Sequence, residues 1–212
     1  MTTLVDLYEI LYETYGHQNW WPGETDFEIM VGAILTQNVN WKNVETAIQN
    51  LKREGLLDPR SITDAGDEII EEAIRPTGFY RQKSKRLKRL SRAVLERGGV
   101  KRFLGQDDLR NTLLDIKGIG PETADSIVLY AAGKTSFVID AYTERILRRV
   151  EDISGNYDDL KTLFEKELPS DIRLYQDFHA LFVELGKEHC KKDPECEGCP
   201  LKSVCNYDDQ DT

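Results

Sequence analysis

LLDIKGIGPETADSIVLYAAGKTSFVIDAYTERILRR, residues Leu113 to Arg149, decides how the rest of this 212-residue chain is read. It contains a glycine-bracketed turn, Gly118-Ile119-Gly120, followed by Pro121, a residue tolerated in the first turn of a helix. Ala124, Ile127, Val128 and Ala131 then recur at i, i+3, i+4, i+7, which gives that helix one apolar face. With Leu113, Leu114 and Ile116 upstream, the pattern is helix, tight hairpin, helix. Two glycines let backbone N–H groups approach a ligand, and the helix that follows adds partial positive charge, a combination that suits a phosphate. Some twenty residues on, the apolar run Phe137-Val138-Ile139 delivers a single acid, Asp140. The plainer reading is a turn closing a helical hairpin, with an acid that only caps the next helix.

Apolar residues fall at helical spacing almost everywhere and alternating runs are scarce, so an all-α fold is expected. The length allows one large domain or two small ones with a real core. No run of eighteen apolar residues and no basic-then-apolar start is present, so neither a membrane span nor a secretory signal is expected. The formal charge of −10 argues against a nucleic-acid binder until its distribution is considered. Arg81 to Arg102 holds ten Lys/Arg and one Glu, a local +9 that leaves −19 for the remainder. Such segregation builds a basic surface, and beside a phosphate-binding hairpin it points to DNA rather than to a merely solvated helix face.

Helices are expected from the N-terminus to Tyr15, from Thr25 or Asp26 to about Thr36, from Trp41 to about Arg53, and over the basic run from Gly78 to Gly98. Further helices are expected near 106–115, 141–150, 156–166 and 172–188, with loops at Asp58-Pro59 and Arg75-Pro76. All four cysteines stand in the last 23 residues, as Cys190-x5-Cys196-x2-Cys199-x5-Cys205. That compactness suits one metal centre better than disulfides, and the spacing by itself admits zinc or a [4Fe–4S] cluster.

Gly118-x-Gly120-x-x-Thr123-Ala124 followed by Val138-Ile139-Asp140 resembles the helix-hairpin-helix and catalytic aspartate of the endonuclease III superfamily of DNA glycosylases. The resemblance covers roughly residues 24 to 205. It implies a two-lobed all-α fold: a six-helix barrel over 24–133, and a helical lobe from 1–23 plus 134–212 that carries an iron–sulfur loop. Phe178-His179, Gly186 and the run from Pro194 through Cys205 are similar to that loop, so Cys190, Cys196, Cys199 and Cys205 are expected to hold [4Fe–4S], with zinc the lesser candidate. The family's first cysteine spacing is usually six residues and here it is five. By the same resemblance Asp140 serves N-glycosidic cleavage, and Gly118, Ile119, Gly120 and Thr123 grip DNA. Gln37 and Asn38 fill the gap left by a flipped base. Lys83 and Lys85, at the start of the basic helix, are expected to face the DNA or the pocket. His179 reads as a buried supporting residue rather than a base. Damaged double-stranded DNA is the expected partner, with a monomeric, cytoplasmic, nucleoid-associated protein and no membrane.

Members with lyase activity carry a lysine two residues after the second hairpin glycine, where this chain has Glu122. A carboxylate forms no imine, so a monofunctional glycosylase is expected. Trp20-Trp21-Pro22, the run Gly32 to Asn38 and the run Ile116 to Asp125 are similar to the 3-methyladenine DNA glycosylase III branch. There two aromatics sandwich the alkylated base, and they map onto Trp20 and Trp41, with Glu122 also at the pocket and Trp21 assigned to the core. Flipping a base costs roughly a few kcal/mol, stacking returns about 1–3 kcal/mol, and a cationic base gains about 1–2 kcal/mol more over an indole. The competing readings are a glycosylase for a deaminated, oxidised or mismatched base, and a non-catalytic iron–sulfur DNA-binding module.

Overall fold

The computed structural model describes residues 2–37 and 39–207. Asn38, one of the expected gap-filling residues, lies outside them. The described residues form two compact units, one over Trp21–Lys134 and one built from the residues before and after it. Among the described residues all regular structure is helical, and no helix is long and apolar enough to cross a membrane.

The hairpin unit, Trp21–Lys134, holds α2 (Asp26–Leu35), α3 (Trp41–Arg53), α4 (Pro59–Asp64), α5 (Asp67–Ala73), α6 (Tyr80–Glu96), α7 (Val100–Leu104), α8 (Leu109–Leu114) and α9 (Pro121–Ser126). Helix α2 is the pivot: eight of its ten residues are buried, and it packs on α3, α6, α9 and the π-helical turn Ile127–Ala131 that extends α9. Its ends are local chemistry. The Thr25 side chain accepts from Glu28 N–H at the start, and Thr36 closes the end by donating its hydroxyl to Gly32 and Ala33 carbonyls.

Asp58-Pro59 is not a loop but a helix start. Asp58 accepts from Arg60 and Ser61 N–H groups while Pro59 occupies the first turn, where its missing N–H costs nothing. Arg75-Pro76 lies in a single 3₁₀ turn, Arg75–Thr77.

The cysteine unit contains α1 (Leu4–Tyr15), α10 (Ala141–Val150), α11 (Tyr157–Glu167), α12 (Ile172–Glu188) and the cysteine-bearing tail. Helix α12 is its axis, packing on α1 and α10. Phe178 and Phe182 of α12 join Phe137 and Phe164 in an aromatic cluster in which Phe137 and Phe164 stack at 4.0 Å. The strand-like run Phe137-Val138-Ile139 is almost fully buried, and this fixes the position of the residue that follows it.

Candidate catalytic and DNA-contact residues

Asp140 is that residue, and it caps α10. Its Oδ1 accepts from Thr143 N–H at 2.8 Å and from the Thr143 hydroxyl at 2.9 Å. Its Oδ2 lies 3.5 Å from His179 Nε2, with side-chain exposures of only 12% and 6% for the two residues. Burial pushes the carboxyl pKa up, but the hydrogen bond and charge of His179 and the two bonds from Thr143 outweigh it, so the net shift is downward. A mostly buried carboxylate is therefore kept ionised.

In the hairpin unit, Ile116 and Ile119 donate backbone N–H groups to Leu113 and Ile116 carbonyls, which closes the turn. Gly118 has φ +100°, a conformation only glycine adopts without strain. Ile119 buries its side chain, so only its backbone is available to a ligand. Thr123 is buried as well, and its hydroxyl accepts from Gln37 Nε2 at 2.7 Å. Gln37 Oε1 in turn accepts from Arg86 Nη1. The Gln37 amide therefore uses both of its ends within this unit. Glu122 is exposed on the first turn of α9.

Lys83 is not on the surface. It is 1% exposed, and its Nζ donates to the carbonyls of Leu35, at the end of α2 (2.9 Å), and Thr77 (2.8 Å). Burial, with the nearby Arg86 charge, draws its pKa down to about 8. It serves as an internal clamp between the end of α2 and the end of the 3₁₀ turn. Lys85 is exposed, as expected.

Trp41 lies in the hairpin unit and Trp20 in the cysteine unit, where Lys187 Nζ stands 5.4 Å from its ring. Trp21 meets Trp41 edge-on at 5.4 Å and also packs on Tyr130 at 5.3 Å. Trp41 Nε1 donates to Glu45 at 2.8 Å, one helical turn along. Trp21, Gly32, Trp41, Glu24, Glu28 and Glu45 line one open pocket, where Lys52 pairs with Glu24 (2.8 Å) and Glu28 (3.1 Å). Trp21 is thus a pocket wall as well as a core contact. The spacing Trp41-x-x-x-Glu45 was the available signal for the acid beneath the indole.

The four cysteines are unbridged and line one pocket, together with Leu185, Leu201 and Arg149. Among the described residues no three His, Cys, Asp or Glu side chains form a group that could hold a metal ion. Arg149 Nη1 donates to Cys190 Sγ at 3.3 Å, and Arg145 Nε to the Cys190 carbonyl at 2.7 Å. Four thiols on a shared apolar wall with a guanidinium at one sulfur fit an anionic thiolate-bound cluster.

Residues 31–170 match the HhH-GPD superfamily of base excision DNA repair proteins. The chain belongs to that superfamily. It is a DNA glycosylase, with the helix-hairpin-helix the sequence led us to expect. Over 206 residues it is 48% identical to a protein of Methanocaldococcus jannaschii provisionally named a DNA repair glycosylase, covering 94% of each chain. Over 187 residues it is 29% identical to endonuclease III of Thermotoga maritima, covering 87% of this chain and 84% of that one. In structure it is similar to an H. pylori 3-methyladenine DNA glycosylase bound to 1,N6-ethenoadenine: TM-score 0.81, 32% identity, 88% of this chain and 98% of that chain covered.

Proposed function

We propose that this DNA glycosylase is monofunctional, excises N-alkylated purines such as 3-methyladenine, and leaves an abasic site. The observation that carries the chemistry is the Asp140 carboxylate, held ionised by Thr143 and His179. A base alkylated at a ring nitrogen is already cationic, so the C1′–N bond breaks with its electron pair going to a good leaving group. Little acid catalysis is needed. Asp140 stabilises the positive charge developing on the sugar and accepts hydrogen-bonding or proton from the water that adds to C1′. Glu122, in place of a lysine, supports hydrolysis without an imine.

The pocket wall supports the substrate class. Trp41 stacks on the flipped base, with Trp20 as a further aromatic contact. The Trp21 edge and the Glu45 carboxylate at Trp41 Nε1 keep that indole oriented and electron-rich, which favours a cation over a neutral ring. Gly118, Ile119 and Gly120 present backbone to the DNA phosphates, and Lys85 adds exposed charge. Gln37 reaches a gap in the duplex only by giving up its bonds to Thr123 and Arg86.

Cys190, Cys196, Cys199 and Cys205 would hold a [4Fe–4S] cluster. Such a cluster, when bound, ties the C-terminal loop together and supplies no step of base release. Purified protein should then carry about four irons and four sulfides per chain; one zinc per chain would reverse the assignment.

A second reading, excision of a deaminated, oxidised or mismatched base, is favoured by the retained cysteines, which known examples of the 3-methyladenine branch can lack. Duplexes that each carry one lesion separate the two. Faster release of 3-methyladenine and 7-methylguanine than of hypoxanthine, uracil or mispaired thymine supports alkylpurine excision, and the reverse order supports the second reading.

A further inference from the structure

The basic helix α6 sends its cations to different tasks, and one of them ends at the hairpin. Lys83 is internal, and Lys88 Nζ donates to the Ala65 carbonyl at 2.7 Å and also pairs with Asp67. Arg89 Nη1 donates to the Lys117 carbonyl at 3.1 Å, bracing the hairpin from outside. Arg86 lies directly along the turn. A Cβ on Gly118 would sit 2.7 Å from Arg86 Cγ and 2.8 Å from its Nε, so the absent side chain of Gly118 makes the space that the arginine occupies. Gln37, itself bonded to Thr123, anchors the far end of that guanidinium through Nη1.

We propose that Arg86 is a phosphate-binding residue of the hairpin: Gly118 gives it room, Gln37 orients it, and it supplies charge to the DNA backbone phosphodiester that the turn holds. Residues 116–123 carry one cation, Lys117, and one acid, Glu122, and so bring no net charge of their own. A guanidinium is suited to the task because its planar fork of five donors can bind Gln37 with one nitrogen and a phosphate with others. This rests on the reading of the hairpin as a DNA contact, and it is independent of which base is excised.

The test uses undamaged duplex, so that binding is read without chemistry. Each phosphate neutralised adds about 0.9 to the slope of log K against log salt. Arg86→Gln should lower that slope by about 0.9, so that between ~50 and ~200 mM salt the wild type loses about 3.5-fold more affinity than the variant. Arg86→Lys should restore the slope. An unchanged slope in an Arg86→Gln protein of wild-type Tm and helix content would overturn the proposal.

If Arg86→Gln does not fold, a scan of single methylphosphonates along the duplex keeps Arg86 in place. One backbone position should cost the wild type affinity, and Gln37→Ala, which releases the guanidinium, should shrink that cost. A cost that Gln37→Ala leaves unchanged at every position would also overturn it. Absence of base release by the wild type from damaged duplex, with the Arg86-dependent part of the salt slope present, would count against the function proposed above and not against Arg86.

Discussion

Asp140 and His179 face one another at 3.5 Å, carboxylate Oδ2 to imidazole Nε2, on residues 39 positions apart that are both largely buried. One starts α10 and the other lies within α12, the axis of the same unit. The contact explains how a carboxylate can be withdrawn from water and still carry its charge.

Asp140→Asn should remove that charge and keep the fold, because asparagine caps a helix about as well as aspartate. Base release should fall by about 10²–10³-fold, the usual cost of losing one preorganised electrostatic partner, while duplex affinity holds or rises. Retained turnover in a single-turnover assay would place the chemistry on another residue. Stability provides a second readout. The Asp140 pKa is lowered on folding, so its stabilisation is complete above the unfolded value of about 3.9 and is lost as pH falls through the folded value. The gap in unfolding free energy between wild type and Asp140→Asn should narrow as pH falls below about 4.

His179→Leu removes the main group opposing burial. The Asp140 carboxyl should then titrate at higher pH, and the acid limb of the pH–rate profile should move upward. A profile that drops uniformly without shifting would mean that His179 acts on packing alone.

Lys83→Met should destabilise the protein by about 2–6 kcal/mol, because the carbonyls of Leu35 and Thr77 lose their buried donor and each unmet bond costs about 1–3 kcal/mol. Denaturant titration measures this. The salt dependence of DNA binding should not change, in contrast to Arg86. A weakened salt slope in a fully stable Lys83→Met protein would return this lysine to the DNA surface.

Trp41→Ala should slow excision of cationic bases far more than it weakens binding to undamaged duplex. Stacking is worth about 1–3 kcal/mol per base, so a loss of roughly 10–100-fold in kcat/KM is expected. Equal losses in both measurements would make the ring a packing element against Trp21.

The local signals in the sequence were reliable where one short segment decides the structure. Helix α10 begins at the acid that ends a buried apolar run, and α12 spans 172–188 as its periodicity indicates. The glycine hairpin was equally plain, since Gly118 needs its left-handed φ. Tertiary contacts were harder. Lys83 sits in a run of cations that reads as a solvated face, yet it shares a helical stripe with Leu87, Leu90 and Val94, and that register buries it. Gln37, Thr123 and Arg86 come from three separate segments, so no spacing announces their network. Asp58-Pro59 was legible as a boundary, but whether it ends an element or begins one depends on the N–H groups that Asp58 caps.

The most direct test of the central claim is single-turnover base release from a duplex carrying one 7-methylguanine, scored with and without alkali and with borohydride present. Hydrolysis through Asp140 with Glu122 in the lysine position predicts free base, strand breaks only after alkali, and no covalent adduct. Strand breaks without alkali, together with a borohydride-trapped enzyme–DNA complex, would contradict it.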